Sequence, residues 1–229
     1  MTGSHLPPII VSWSTGKDSA LALHSIKRQG YPIHSLVTVF RKEDDRVSVH
    51  GINRKLLRAQ AESLGLPLLE IETSPQRKYE QAVTEGLQSF SKLGINQIAY
   101  GDLFLEDIKQ WRDAFHQKFG YTCLYPLWRM PTQALAHKFI GSGFKAIVVC
   151  VDTKKLNQSF AGRPYDHDFL TDLPSDVDPC GENGEFHTFV YDGPDFSNAI
   201  PFKKSPPKIR DFEDGAHQFT FGFSDLQLA

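Results

Sequence analysis

The stretch VSWSTGKDSALAL, residues 11–23, decides how this chain is read. A short apolar, β-branched run (PIIVSW) leads in and reads as a buried strand, and ALALHSIKRQG leads out as a helix with Gly30 as its stop. Between them stand Ser14, Thr15, Gly16, Lys17, Asp18 and Ser19, more polar residues than a turn needs. A strand that ends in small hydroxylated residues and turns into a helix aims several free backbone N–H groups at one spot, where the helix dipole adds partial positive charge. Gly16 can take positive φ and let an anion approach the backbone closely. Lys17 adds a full charge, and three hydroxyls can donate. Asp18 suits such a site if it ligates magnesium or caps neighbouring N–H groups. Two readings fit: a phosphate-binding loop, or a tight turn with a hydroxyl N-cap. The Walker spacing G-x-x-x-x-G-K-[ST] is absent, so γ-phosphate chemistry is not the first expectation.

Working outward, strands and helices alternate. IHSLVTVF, LPLLEIET and INQIAYG read as further strands, and NRKLLRAQAESLG, KYEQAVTEGLQSFSKLG and DIKQWRDAFHQKFG as helices. The segment RKEDDRVSVHG is a charged loop with room for a short strand, and a last strand of this part runs to Pro126. The alternation predicts an α/β fold with a parallel, doubly wound sheet and right-handed crossovers. Near residue 130 the texture changes. PTQALAHKFIGSG is a helix with Thr132 as N-cap, FKAIVVCVD a strong strand, and glycines, prolines and acids then become frequent. Near the end, HQFTFGF puts Phe219, Phe221 and Phe223 on one face of a strand, after an exposed KKSPPK connection. The expected organisation is a leader over 1–8, a nucleotide-binding domain over 9–128 and a smaller α/β subdomain over 129–229.

Composition sets the frame. The chain has 229 residues, 40% hydrophobic and 23% charged, with 25 basic against 27 acidic side chains and a net charge of -2. That balance speaks against an extensive nucleic-acid surface. No apolar run approaches the roughly 20 residues of a membrane helix, and MTGSHLPP lacks the pattern of a secretory signal. Cys123, Cys150 and Cys180 are odd in number, widely spaced and never in C-x-x-C, which argues against a disulfide framework, a zinc site or an iron–sulfur cluster. The expectation is a cytoplasmic protein.

S-T-G-K-D-S resembles the S-G-G-x-D-S loop of the PP-loop ATP pyrophosphatases, with Thr15 in place of a glycine. His50 followed by LLRAQAESLGLPL, YGDL at 100–103, PLW at 126–128 and CGENGEFHTFVYDGPDF at 180–196 narrow the likeness. Together they resemble the diphthine–ammonia ligase family, from about residue 9 to residue 196. The resemblance implies a fold of the adenine-nucleotide α-hydrolase (HUP-like) type, with ATP and Mg²⁺ as cofactors. It implies that a substrate carboxylate attacks the α-phosphorus of ATP, releasing pyrophosphate, and that ammonia opens the acyl-adenylate to an amide. Ser14 to Ser19 match the pyrophosphate loop, with Asp18 as the metal ligand and Lys17 and Asp18 as catalytic groups. The adenine is expected near Val37 to Phe40.

His50, Gly101 and Asp102 match nucleotide-pocket positions by the same resemblance. For Asp102 a helix cap is the plainer alternative, and for His50 a solvated side chain. Glu182, Asn183, Glu185 and His187 match the acceptor segment, with Glu185 and His187 also expected to act in catalysis and to share one side of a strand. On its own, that segment reads first as a solvated acidic turn. Arg112 could reach a phosphate or carboxylate, or lie exposed on its helix. Here the sequence departs from the family's E-G-G-E-F/Y-E-T, having E-N-G-E-F-H-T, which removes negative charge that a trimethylammonium group would want. The variant is similar to a bacterial branch linked to cobalamin salvage, so a cobalamin-related acceptor is weighed against diphthine. Other expected partners are a carboxylate acceptor and ammonia, and a homodimer is compatible. Two alternatives stand beside the ligase: a tRNA-thiolating enzyme using Cys123 or Cys180, and an ATP- or AMP-binding sensor without chemistry.

Overall fold

The computed structural model describes residues 6–42, 45–47, 51–214 and 217–229, with the side chains of 212–219 left aside. His50, the first five residues of the expected leader and the side chain of Phe219 lie outside the described residues. The first part of the chain alternates as its sequence pattern predicts: β1 (Ile9–Ser12), α1 (Lys17–Arg28), β2 (Ile33–Arg41), β3 (Arg46–Val47), α2 (Arg54–Leu64), β4 (Leu68–Thr73), α3 (Tyr79–Lys92), β5 (Gln97–Ala99), α4 (Glu106–Gln117) and β6 (Thr122–Leu124). Five of these strands run parallel in the order β4–β2–β1–β5–β6, and the short β3 lies antiparallel to the end of β2.

Alternation along β1 explains the double winding. Ile9 and Val11 face a core that includes Leu21, Leu23, Leu56 and Leu57 from α1 and α2. Ile10 points the other way, into a core with Val83, Leu87 and Phe115 from α3 and α4. A strand buried on both faces must be apolar throughout, which is why PIIV carries no polar alternation. Helix α2 has both of its ends fixed: the Asn53 side chain accepts from Leu56 N at 3.1 Å, and Gly65 closes the helix at φ 64°.

The second part contains α5 (Thr132–Gly141), β7 (Lys145–Asp152), α6 (His167–Asp172), β8 (Phe186–Asp192), β9 (Phe202–Lys204), β10 (Lys208–Asp214), β11 (His217–Phe223) and β12 (Leu226–Leu228). Its sheet is antiparallel in the order β10–β11–β7–β8, so β8 is an outer strand, and among the described residues β9 pairs only with β12. Thr132 is not the N-cap of α5. Pro131 is, because its extended backbone (φ -56°, ψ 124°) starts the helix one residue earlier and its carbonyl accepts from Leu135 N at 3.0 Å.

One apolar core joins the two sheets. It runs from Val11 and Leu57 in the parallel layer to Phe139, Val148, Phe169 and Phe189 in the antiparallel one. Phe139 stacks on Phe144 with ring centroids 4.9 Å apart. Ser63 on α2 adds a polar staple, donating to Asn198 O at 2.6 Å and accepting from Asn198 N at 3.1 Å. Among the described residues, no helix is long and apolar enough to cross a membrane. A shared core predicts cooperative unfolding. Far-UV circular dichroism and tryptophan fluorescence should melt in one coincident transition, and two separated transitions would show halves that fold independently.

Candidate active site

In an open parallel sheet, ligands bind beyond the carboxyl ends of the strands where the strand order reverses. Here that point lies between β1 and β5, and the Ser14–Ser19 loop springs from the end of β1. The loop's conformation differs from expectation. Thr15, not Gly16, takes the left-handed backbone, at φ 73°, while Gly16 is extended at φ -93° as the N-cap of α1. For a β-branched residue this conformation is an outlier, costing roughly 1–2 kcal/mol. It persists because the Thr15 carbonyl accepts two hydrogen bonds, from Gln60 Nε2 and from Val190 N, both at 3.0 Å.

The hydroxyls form a local relay. Ser14 Oγ donates to Ser19 Oγ at 3.1 Å, and Ser19 Oγ donates to Gly16 O at 3.0 Å. Lys17 N, the first amide of α1, donates to Thr188 Oγ1 at 3.0 Å, so β8 touches the loop twice. The Lys17 side chain is buried. Its Nζ lies 2.8 Å from Asp18 Oδ2 and over the rings of Phe186 and Tyr165, 5.4 and 5.8 Å from their centroids. Burial pulls the Lys17 ammonium down more than any one neighbour lifts it, but the Asp18 charge and hydrogen bond together with Cys180 and Glu182 outweigh it and the net shift is upward, which keeps the cation charged. Burial raises the Asp18 carboxyl against the opposing pull of Lys17.

These groups open on a cleft of about 340 Å³ whose walls include Ser14, Asp18, Gly101, Arg112, Glu182 and His187. Arg112 Nε pairs with Asp102 Oδ2 at 2.9 Å, and its guanidinium lies over the Tyr100 ring at 4.3 Å. Arg112 therefore sits in the cleft wall and not on an exposed helix face. Burial raises the Asp102 carboxyl although Arg112 pulls it down. Glu182 Oε1 accepts from Leu103 N at 2.8 Å, and burial lifts its pKa from 4.5 to about 7. Gly101 approaches α1 so closely that a Cβ there would stand 2.7 Å from the backbone carbon of Asp18. Val39, near the expected adenine position, is also on the wall.

The model of the diphthamide synthase N-terminal domain matches residues 8–122, and that of the C-terminal domain matches residues 131–220. The chain belongs to the diphthamide synthase family. That places it among ATP-dependent PP-loop ligases. Compared with curated proteins, the chain has no significant match. In this member of the diphthamide synthase family, the N-terminal match carries the loop, Asp102 and Arg112, and the C-terminal match carries Glu182 to His187.

Not every expected residue reaches the cleft. Glu185 is 1% exposed and does not share the cleft face with His187. Its Oε1 accepts from Asn183 Nδ2 at 3.1 Å and Asp178 N at 3.3 Å, and Lys155 Nζ stands 4.0 Å away. Regular alternation fails here because β8 begins at Phe186, leaving Glu185 in the preceding turn. Asn183 braces that turn and is likewise not in the wall. Thr15 and Gly16 support the loop from behind. Cys180 donates to Thr132 O at 3.3 Å, and burial pushes both its thiol and that of Cys123 up to about 12.

Among the described residues there is no group of three or more His, Cys, Asp or Glu arranged to hold a metal. Magnesium typically uses one or two carboxylates plus substrate phosphates, so the cleft carboxylate of Asp18 suits an ion that arrives with a nucleotide. Sequence reasoning passed over Gln60, Thr188, Tyr79 and Tyr165. Gln60 did leave a signal: it stands within the apolar stripe of Leu56, Leu57, Ala61 and Leu64.

Two outcomes follow from this geometry. Gly101→Ala should weaken ATP binding by roughly tenfold or more, since overpacking against backbone is relieved only by moving the loop. Calorimetry on the folded variant checks this, and unchanged affinity would contradict it. Glu182 has a folded pKa above its ordinary value, so its proton-linked stability is full below about pH 4.5 and is lost as pH rises through about 7. Glu182→Gln should therefore melt above wild type by roughly 2–4 °C at pH 8, the equivalent of about 1 kcal/mol. At pH 5 the difference should shrink, and an equal difference at both would refute the assignment.

Proposed function

We propose that this protein activates a substrate carboxylate with ATP and converts it to an amide with ammonia. The observation that carries the reading is the pairing of β8 with the phosphate loop: Val190 N donates to Thr15 O and Lys17 N to Thr188 Oγ1, both at 3.0 Å. The strand that begins within GENGEFHT is thereby held against the loop, and residues of both segments face one cleft.

In this reading the triphosphate lies along the Ser14–Ser19 loop. Lys17 offers positive charge to the pyrophosphate, and Asp18 would hold a magnesium ion, which would supply further charge neutralisation. An acceptor carboxylate oxygen bonds to the α-phosphorus as the bond to the β-phosphate bridging oxygen breaks, and pyrophosphate leaves. Ammonia then attacks the acyl carbon, AMP departs with the bonding electron pair, and the nitrogen gives up a proton. AMP is a far better leaving group than hydroxide, which is why the carboxylate is activated first. Arg112 is suited to orient an anionic acceptor group, since its guanidinium lines the cleft beside Asp102. His187, also on the wall, is suited to take up the released proton.

Thiolation of tRNA is the weaker reading, because a sulfur carrier works as a thiolate and burial disfavours that form at Cys123 and Cys180. The acceptor belongs to the carboxylates, with cobalamin precursors and a diphthine peptide as the two classes to compare.

Product analysis tests the proposal. With magnesium, ammonium and ATP labelled at the α and γ positions, one acceptor from such a panel should yield AMP and pyrophosphate. Asp18→Ala should lower kcat/KM for ATP by roughly 10²–10³, the range for removing one charge-stabilising group. The double substitution Cys123→Ser with Cys180→Ser should keep amide formation. ADP and phosphate as products would overturn the reading, and binding of ATP without turnover for every acceptor would favour a sensor.

A further inference from the structure

Gln60 lies on α2, outside the loop and outside the GENGEFHT turn, and is 0% exposed. A buried amide must find partners, and this one ties three segments together. Its Oε1 accepts from Trp13 Nε1 at 2.8 Å, and its Nε2 donates to Thr15 O at 3.0 Å and to Val190 O at 2.5 Å. Trp13 directly follows β1, Thr15 holds the left-handed turn of the loop, and Val190 belongs to the outer strand β8. An outer strand leaves one row of carbonyls without a strand partner, and Gln60 supplies the missing donor at Val190. The same NH₂ group fixes the carbonyl of the one loop residue whose backbone is strained.

We infer that Gln60 is a positioning residue for ATP use: it holds Thr15 in its left-handed conformation and thereby presents Lys17, Asp18 and Ser19 to the pyrophosphate. This rests on the proposed use of the loop for a triphosphate. Gln60 touches none of the reacting groups and works through Thr15 and β8. A glycine at position 15 would take the same backbone without strain and would need no such hold.

The test is a four-member cycle: wild type, Gln60→Met, Thr15→Gly and the double substitution. Methionine keeps about the same volume and removes the amide. Gln60→Met should raise the dissociation constant for magnesium–ATP roughly ten- to hundredfold, while AMP, which lacks the pyrophosphate, shifts by less than about threefold. Thr15→Gly added to Gln60→Met should restore most of the lost ATP affinity. A general structural role would weaken ATP and AMP alike and would not be rescued at position 15. Unchanged ATP affinity, equal loss for both nucleotides, or no rescue would each overturn the inference. Should Gln60→Met fail to fold, Gln60→Asn, which keeps an amide too short to span all three partners, must give the same split. Thermal melts of the four chains separate this from the proposed function. A wild type that binds no ATP would sink the ligase reading, whereas the inference requires Thr15→Gly to raise the melting temperature less beside Gln60→Met, where Thr15 has already relaxed, than alone.

Discussion

The open edge of β8 is the constraint on which the site depends. An outer strand with unpaired backbone groups must be covered, and here the cover is the phosphate loop itself, together with Gln60. The Val190 amide satisfies Thr15 O, and Thr188 takes the first amide of α1. This contact does two things at once. It closes the antiparallel sheet against the parallel one over a shared apolar core, and it fixes the loop in a conformation its threonine would not choose alone.

Charge in the cleft is arranged in pairs. Lys17 answers Asp18, and Arg112 answers Asp102, each pair partly shielded by aromatic rings. Paired charges survive burial where single ones would neutralise. A magnesium–triphosphate would enter this array by competing for Lys17 and Asp18 together, bringing an anion to one and a cation to the other. Glu182 differs: its contact at Oε1 is a backbone amide, and it titrates near pH 7 as burial dictates.

Much of this was legible in the sequence, for identifiable reasons. The apolar, β-branched strands and amphipathic helices before residue 126 announce themselves by period, and the excess of polar residues after β1 marks the loop. Gly101 and Asp102 fall at a strand end, where parallel sheets bind ligands. The limits were physical too. Which loop residue takes positive φ is set by contacts with Gln60 and Val190, residues distant in sequence, so glycine's local preference pointed to the wrong position. Glu185 was assigned by regular alternation, but the turn before β8 rotates it into the interior. Strands such as β10, built from KIRDFED, carry too little apolar periodicity to be seen. Gln60 was visible as a polar residue in an apolar stripe, though its partners were not.

The central claim is that the loop and β8 form one binding surface for the triphosphate. Amide hydrogen exchange with and without magnesium–ATP tests it most directly. The account predicts that ATP slows exchange in residues 14–19 and 186–190 together, with little change around α5 and α6. Slowing confined to the loop, or centred on α5 and α6 with β8 unchanged, would contradict it.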